Sequence, residues 1–310
     1  MIALRDRKLW VPPDTLTAKQ AVIDTTANPV RSRMMLELSR IPTAVWFTGS
    51  STGSYADSLL DKIDDATQIG VFVVYNIPQR DLGSYSKGGA TSESAYRGYI
   101  DGLVGGWNNR EAIVILEPDA LAMAPKMDST GRAERYRCMN YAVERFKRAG
   151  ARVHLDGGDS GWVPDPEKMA AELIAAGVAY ADGFVTNVSH HRTTKRETAQ
   201  NRAIVAAIEA ATDAHPTYYV DTSRNAIGPV EVRPGESSQI GWCNADAGYG
   251  VRPTLRMSYV AYPSCDGFLH VKGHIASDGS REGAPEAGKP YPEHGVRLYH
   301  QALPALPKVW

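Results

Sequence analysis

The chain has 310 residues, with 34 Lys and Arg against 35 Asp and Glu, and 43% of its residues are apolar. That composition excludes a disordered, collagen-like or coiled-coil chain. The balanced charge, without any run of Lys or Arg, argues against nucleic acid as the main partner.

Short apolar runs rich in β-branched and aromatic residues recur at residues 44–47, 71–75, 112–116, 152–155, 183–185, 217–220 and 267–271. Their near-continuous apolarity predicts parallel strands covered on both faces. Between them, apolar residues return at helical spacing. These are Tyr96, Tyr99, Ile100 and Leu103; Tyr136, Met139, Val143 and Phe146; Met169, Leu173 and Ile174; Ile204 and Ile208; and Val296, Tyr299 and Leu303. Ser92 and Asp165 are candidate helix N-caps. Alternating strand and helix predicts an α/β fold with a parallel sheet. Seven strands fit a barrel or an open sheet, and periodicity does not separate the two.

No apolar stretch approaches the roughly 20 residues that span a bilayer. Residues 1–10 are mixed in charge and lack the apolar core of a signal peptide, which predicts a cytosolic protein or one whose leader has been removed. Of the three cysteines, Cys138, Cys243 and Cys265, only Cys243 and Cys265 form a candidate disulfide, with three buried thiols as the alternative.

Polar residues follow nearly every predicted strand: Asn76, Arg80 and Asp81; Glu117 and Asp119; Asp156; Asn187; Asp221 and Arg224; Lys272 and Asp278. Singly, such residues are turn formers and helix caps. As a set they mark the mouth of a barrel, where active sites gather. Other chemistries lack their motifs. There is no phosphate-binding glycine loop and no HExxH, so His190, His191, His270 and His274 carry no metal pattern. Gly158-Asp159-Ser160-Gly161 looks like a serine-protease segment. However, Trp162 occupies the last glycine position of the hydrolase elbow, and the chain is not all-β. What remains is a carboxylate site. Glycoside hydrolysis needs one carboxyl group held protonated and a second that handles water. Asp81 and Asp119 end adjacent predicted strands and form a candidate coupled pair, with Trp46, Trp162 and Trp242 as platforms for sugar rings.

At these residues the chain resembles glycoside hydrolase family 6, a family of secreted endoglucanases and cellobiohydrolases. Tyr75-Asn76-Ile77-Pro78-Gln79-Arg80-Asp81-Leu82-Gly83 resembles the family's Tyr-x-x-Pro-x-Arg-Asp-Cys-Gly signature, and Glu117-Pro118-Asp119 matches its Glu-Pro-Asp. Leu155-Asp156-Gly157-Gly158-Asp159-Ser160-Gly161-Trp162, Asn187-Val188-Ser189, Asp221-Thr222-Ser223-Arg224-Asn225, Gly241-Trp242-Cys243-Asn244 and Ser277-Asp278-Gly279 follow in family order. The resemblance implies one catalytic domain over residues 1–310, with a distorted, incomplete seven-stranded parallel (β/α) barrel and an open substrate cleft. It implies hydrolysis of β-1,4-glucan with inversion, by a secreted, monomeric enzyme that needs no metal or other cofactor. Asp119 matches the general acid, Asp81 the carboxylate that raises the acid's pKa and assists the water, and Asp278 the residue often named as base. Tyr75 matches the tyrosine beside the distorted sugar. Trp46, Asp156, Trp162, Asn187, Trp242 and Lys272 match positions that bind sugar or support the site.

The chain departs from that pattern at several places. Leu82 replaces a cysteine, Ser280 stands where the partner of Cys243 is expected, and Ile275-Ala276 replaces a Gly-Glu. Asp159 stands where histidine is frequent and His190 where asparagine is usual. A free carboxylate at Asp159 would suit a cationic sugar such as glucosamine. The altered shell also keeps open another β-1,4-linked polysaccharide, an exo-acting cellobiohydrolase, or a catalytically impaired glycan-binding protein. The short stretch 278–292 favours an open cleft and endo action, while residues 230–240 are long enough for partial roofing.

Overall fold

The computed structural model describes residues 3–229, 241–258 and 260–302. In chain order these form β1 (Lys8–Leu9), α1 (Leu16–Ala27), α2 (Pro29–Ser39), β2 (Val45–Phe47), α3 (Gly53–Leu60), β3 (Gln68–Ile69), β4 (Val71–Val74), α4 (Glu93–Gly105) and β5 (Ile113–Leu116). There follow α5 (Ala120–Met123), α6 (Ser129–Arg148), β6 (Arg152–Asp156), α7 (Pro166–Ala175), β7 (Gly183–Thr186), α8 (Thr194–Ala211), β8 (Thr217–Asp221), β9 (Cys265–Leu269) and α9 (Pro292–His300).

Seven strands pair in parallel in the order β2-β4-β5-β6-β7-β8-β9, and β1 pairs with β3 in a separate ribbon. The sheet curls into an incomplete barrel. Its edge strands β2 and β9 share no ladder. The seam is bridged instead by the Ala44 N–H to the His270 carbonyl (3.0 Å) and the Trp46 indole N–H to the Val271 carbonyl (2.9 Å).

Continuous apolarity along each strand resolves into two faces. Val71, Val73, Ile113, Ile115 and Tyr219 point into the barrel, while Phe72, Val74, Val114, Leu116, Val153 and Leu155 join the helix-facing core. This is the period-2 geometry of a strand buried on both sides. Ser92 caps α4 through the Ala95 N–H, and Asp165 caps α7 through the N–H groups of Glu167 and Lys168, as the sequence predicts. Among the described residues no helix is long and apolar enough to cross a membrane.

Three differences from the sequence reading have physical causes. The last strand is Cys265–Leu269 rather than 267–271. Past Leu269 the chain leaves its neighbour, and the Val271 N–H turns to the Asp221 carboxylate (3.1 Å). The helices α1 and α2 escape periodicity because their pattern is partly inverted. Val22 and Ile23 are exposed, whereas Gln20 and Asp24 are buried, with Asp24 held by Arg31 through two bonds of 2.7 Å. All three cysteines are unpaired and buried. Cys265 begins β9, while Cys243 precedes Asn244, whose N–H bonds Asp278 beyond that strand's far end, so the candidate disulfide does not form. Leu303 and residues 230–240 lie outside the described residues.

The helix-facing core centres on aromatic rings. Phe72 stacks on Phe47 (5.3 Å between centroids) and meets Trp107 edge-on at 5.6 Å. Phe72→Ala removes a fully buried ring from this cluster, and a loss of about 3–5 kcal/mol is expected in denaturant unfolding.

Candidate active site

The turn after β5 carries Glu117 and Asp119. Glu117 and Asp119 both have left-handed backbones (φ 50° and 70°), a conformation that Asp tolerates and Glu rarely adopts. The surroundings over-determine that strain. Glu117 Oε2 accepts the N–H groups of Asn76 (2.8 Å) and Ile77 (2.9 Å) from the end of β4. Buried Arg135 donates to the Ala120 carbonyl on one loop and to the Pro78 and Gln79 carbonyls on the other. Burial pushes Glu117 up to about 7, against the Ile77 N–H, the Tyr96 hydroxyl and the Asn76 N–H, which favour its charge.

The loop after β4 brings Tyr75, Arg80 and Asp81. Arg80 lies over the Tyr75 ring at 4.4 Å and donates to the Tyr75 carbonyl (2.7 Å), while Trp46 meets the same ring edge-on at 5.4 Å. Tyr75 is therefore fixed, and burial keeps its phenol protonated. Asp81 accepts the Ser86 N–H (2.8 Å); burial raises its pKa, against that bond and Arg80.

Asp119 receives no compensating cation at bonding distance. Burial raises it to about 6; His190 and Lys272 pull it down, Asp81 and Asp159 push it up. Asp156, at the end of β6, accepts the N–H groups of Asp119 and Gly158, both at 3.0 Å, and burial with the Asp119 charge raises it to about 7. Asp278 is the opposite case. Burial would raise it, but a two-bond pair with Arg224 (2.8 and 3.0 Å) and an ion pair with Lys272 (2.9 Å) hold it far below the usual carboxylate range. The Asn244 N–H (2.8 Å) takes a further position on it. Two sets of carboxyl groups are thus pushed apart by their environments, which is how one site keeps an acid and an anion together.

A cavity of about 1050 Å³ is lined by Trp46, Tyr75, Arg80, Tyr85, Lys272 and Ala276, among others. Trp162 and His190 stand outside it, beyond Asp119, with their rings 5.6 Å apart. Trp242 follows no strand directly. It reaches Tyr85 (6.0 Å), which itself lies where a side chain at Gly279 would stand.

Two expectations change. Asn187 is fully buried and bonds the Arg192 N–H, the Arg192 carbonyl and the Asp221 carbonyl, so its amide shapes the loop after β7 instead of facing a sugar. Asp159 is not a free carboxylate. It pairs with His190 Nδ1 (2.7 Å) and Arg192 Nε (2.8 Å) and accepts the N–H groups of Gly161 and Trp162. Nothing remains on it for a cationic sugar. Arg192 reaches it only because residue 161 is glycine; a Cβ there would meet the guanidinium at about 2.1 Å.

The sequence reading gave no role to Glu117, Arg80, Arg224 or His190. Arg80 and Arg224 each sit beside a carboxylate in a quoted motif, which was the available signal. Among the histidines, His270 and His274 bond each other (2.8 Å) and stay buried and neutral, with His274 in the cavity wall.

The model of glycosyl hydrolases family 6 matches residues 4–303. The chain belongs to this family. It is 33% identical to Endoglucanase A of Thermobispora bispora over 288 residues, 88% of this chain and 58% of that protein. It is 34% identical to Endoglucanase 1 of Streptomyces sp. (strain KSM-9), over 79% of this chain and 67% of that one. The chain therefore spans less than two thirds of the Thermobispora relative. Its fold superposes on the endoglucanase Cel6 from Mycobacterium tuberculosis, solved with a thio-linked cellobioside, with a TM-score of 0.86 and 31% identity, covering 96% of this chain and 98% of that one. The half-barrel found here is the family 6 fold.

The raised carboxyl groups have a measurable cost. Glu117, Asp156 and Asp119 favour protonation in the folded state, so their stabilisation is complete below about pH 4 and is lost as pH rises through 6 to 7. Asp278 and Asp159 act oppositely, losing their contribution as pH falls below about 4. The contribution of the first set is expected to decline from pH 4.5 to 7.5, opposed below about pH 6.5 by the buried His154, His270 and His294, which stay neutral in the fold and gain stability as pH rises. Asp156→Asn should flatten that decline in denaturant titrations across this range.

Proposed function

We propose that the protein is an inverting endo-β-1,4-glucanase acting on cellulose-type glucan. The observation that carries this reading is the contrast between Asp119, raised to about 6 with His190 standing off at 4.0 Å, and Asp278, bonded directly to Arg224 and Lys272. Both follow strands of one barrel beside a cavity walled by Trp46 and Tyr75. The names of the relatives point to the same polymer.

In this reading the glucan stacks on Trp46, with Tyr75 beside the sugar at the cleavage point and Trp162 under the leaving-group side. Lys272 and Trp242 complete the sugar-binding surface. Asp119 gives its proton to the glycosidic oxygen as the bond breaks. Water attacks from the opposite face, so the new hydroxyl has inverted configuration. Asp81 keeps Asp119 protonated and serves the water. Its pKa is raised, which makes it a stronger proton acceptor than Asp278. Asp278, committed to Arg224, Lys272 and Asn244, acts by holding Lys272 toward the cleft and contributes fixed negative charge. Asp156 supports the acid by fixing the Asp119 backbone. The described residues would act as one catalytic domain, and the protein as a secreted monomer.

Exo action has one observation of its own. Tyr85 and Trp242, on loops from distant parts of the sheet order, touch beside the cavity. Viscosity loss of carboxymethylcellulose against reducing-end release separates the two, with rapid viscosity loss expected for endo cleavage. Asp119→Ala should lower hydrolysis of unactivated glucan by about 10²–10⁴-fold, the usual worth of general acid catalysis. Proton NMR of the first product should show the α-anomer. Full activity in the variant, or an initial β-anomer, would overturn the assignment.

A further inference from the structure

We propose that His190, fixed as an imidazolium by Asp159, is the counter-ion of Asp119 and strengthens it as the acid that protonates the leaving oxygen. The proposal rests on Asp119 being that acid. His190 Nε2 stands 4.0 Å from Asp119 Oδ1, and its Nδ1 stands 2.7 Å from Asp159 Oδ2, so one imidazole ring bridges two carboxylates. Two positions at which this chain departs from the family pattern are therefore a single ion pair, aimed at the acid.

The ring is held in place. The backbone that carries it is fixed: the His190 main-chain N–H donates to the Asn187 carbonyl (2.9 Å), the Ser189 N–H donates to Asp221 (2.9 Å), and the Arg224 guanidinium donates to the Ser189 carbonyl. Trp162 packs against the imidazole, with the Lys126 ammonium 5.7 Å over that indole. Asp159 is fixed in turn by Arg192 and two backbone N–H groups.

The titratable groups facing His190 are Asp159 and Asp156 from β6 and its loop, Asp119 after β5, and neighbouring His191, which burial keeps neutral. Those facing Asp119 are Asp81 and the Tyr75 phenol after β4, Asp156 and Asp159 from β6 and its loop, Lys272 after β9, and His190. Burial disfavours charge on His190, but Asp159, backed by Asp119 and Asp156, outweighs it and raises the ring to about 9. His190 therefore carries its charge across the working range of the acid.

The chemical consequence follows from charge balance. When the glycosidic bond breaks, the proton of Asp119 ends on the leaving hydroxyl, and Asp119 becomes a carboxylate among Asp81, Asp156 and Asp159. His190 keeps its own proton and stabilises that new anion. The same charge releases the proton from free Asp119 at lower pH, so the arrangement trades alkaline range for acid strength.

The test is the pH profile of kcat and kcat/KM on mixed-linkage β-glucan for the wild type, His190→Asn and His190→Gln. Both variants should move the alkaline limb of kcat/KM upward by about one unit. Both should also lose about threefold to tenfold in kcat on the acidic side, where Asp119 is protonated but weaker. Asp159→Asn, which frees the imidazole to lose its proton, should shift the limb the same way. With 2,4-dinitrophenyl cellobioside, whose phenolate leaves without a proton, His190→Asn should leave the profile unmoved. An unshifted limb in both His190 variants, or an equal change on the dinitrophenyl glycoside, overturns the proposal. Failure of the acid assignment itself reads differently: Asp119→Ala would then still cleave β-glucan.

Discussion

Glu117 is a carboxylate with no solvent contact, and the two loops that carry Tyr75, Asp81 and Asp119 depend on it. Its one oxygen gathers two N–H groups from the end of β4, while its own backbone bends into the left-handed region to start the turn that presents Asp119. A buried carboxyl group with partial compensation is expensive. The compensation here is backbone N–H, a tyrosine and the nearby Arg135, so the cost is turned into position. Strain at Glu117 and Asp119 is sustained because the surrounding bonds leave these loops no relaxed alternative.

Electrostatics at the mouth divide by strand. After β5 and at the end of β6, the Asp156 carboxylate accepts the N–H groups of Asp119 and Gly158, and burial raises both Asp119 and Asp156. On the loops after β6 and β9, Asp159 and Asp278 each meet two cationic side chains and stay ionised. The barrel thereby holds carboxyl groups that favour protonation beside fixed anions, without any of them being interchangeable. Arg224 and Arg192 never need to touch a substrate to matter, because they decide which carboxylates can hold a proton.

Much of this was legible in the linear chain. The seven strands were visible as apolar runs, since burial on both faces leaves little polar interruption, and the caps Ser92 and Asp165 were read correctly from residue type. The helices α1 and α2 were not, because Gln20 and Asp24 face inward and Val22 and Ile23 outward, contrary to an amphipathic pattern. The seam between β2 and β9 was equally hidden. It consists of one backbone bond and one indole bond between residues more than two hundred positions apart.

The sequence by itself determined the residue types at each strand end, their order and the family they resemble, because strand, loop and cap chemistry are local and each motif is contiguous. It therefore named Asp119, Asp81, Asp278 and the tryptophans. Only the tertiary structure decided which carboxylates are paired. Asp159 looked like a spare anion until His190 and Arg192, some thirty residues on, were seen to close on it. The partners of Asp278 were equally hidden: Arg224 and Lys272 hold both of its oxygens. Ionisation depends on burial and on neighbours brought in from other strands, and neither is written in local spacing.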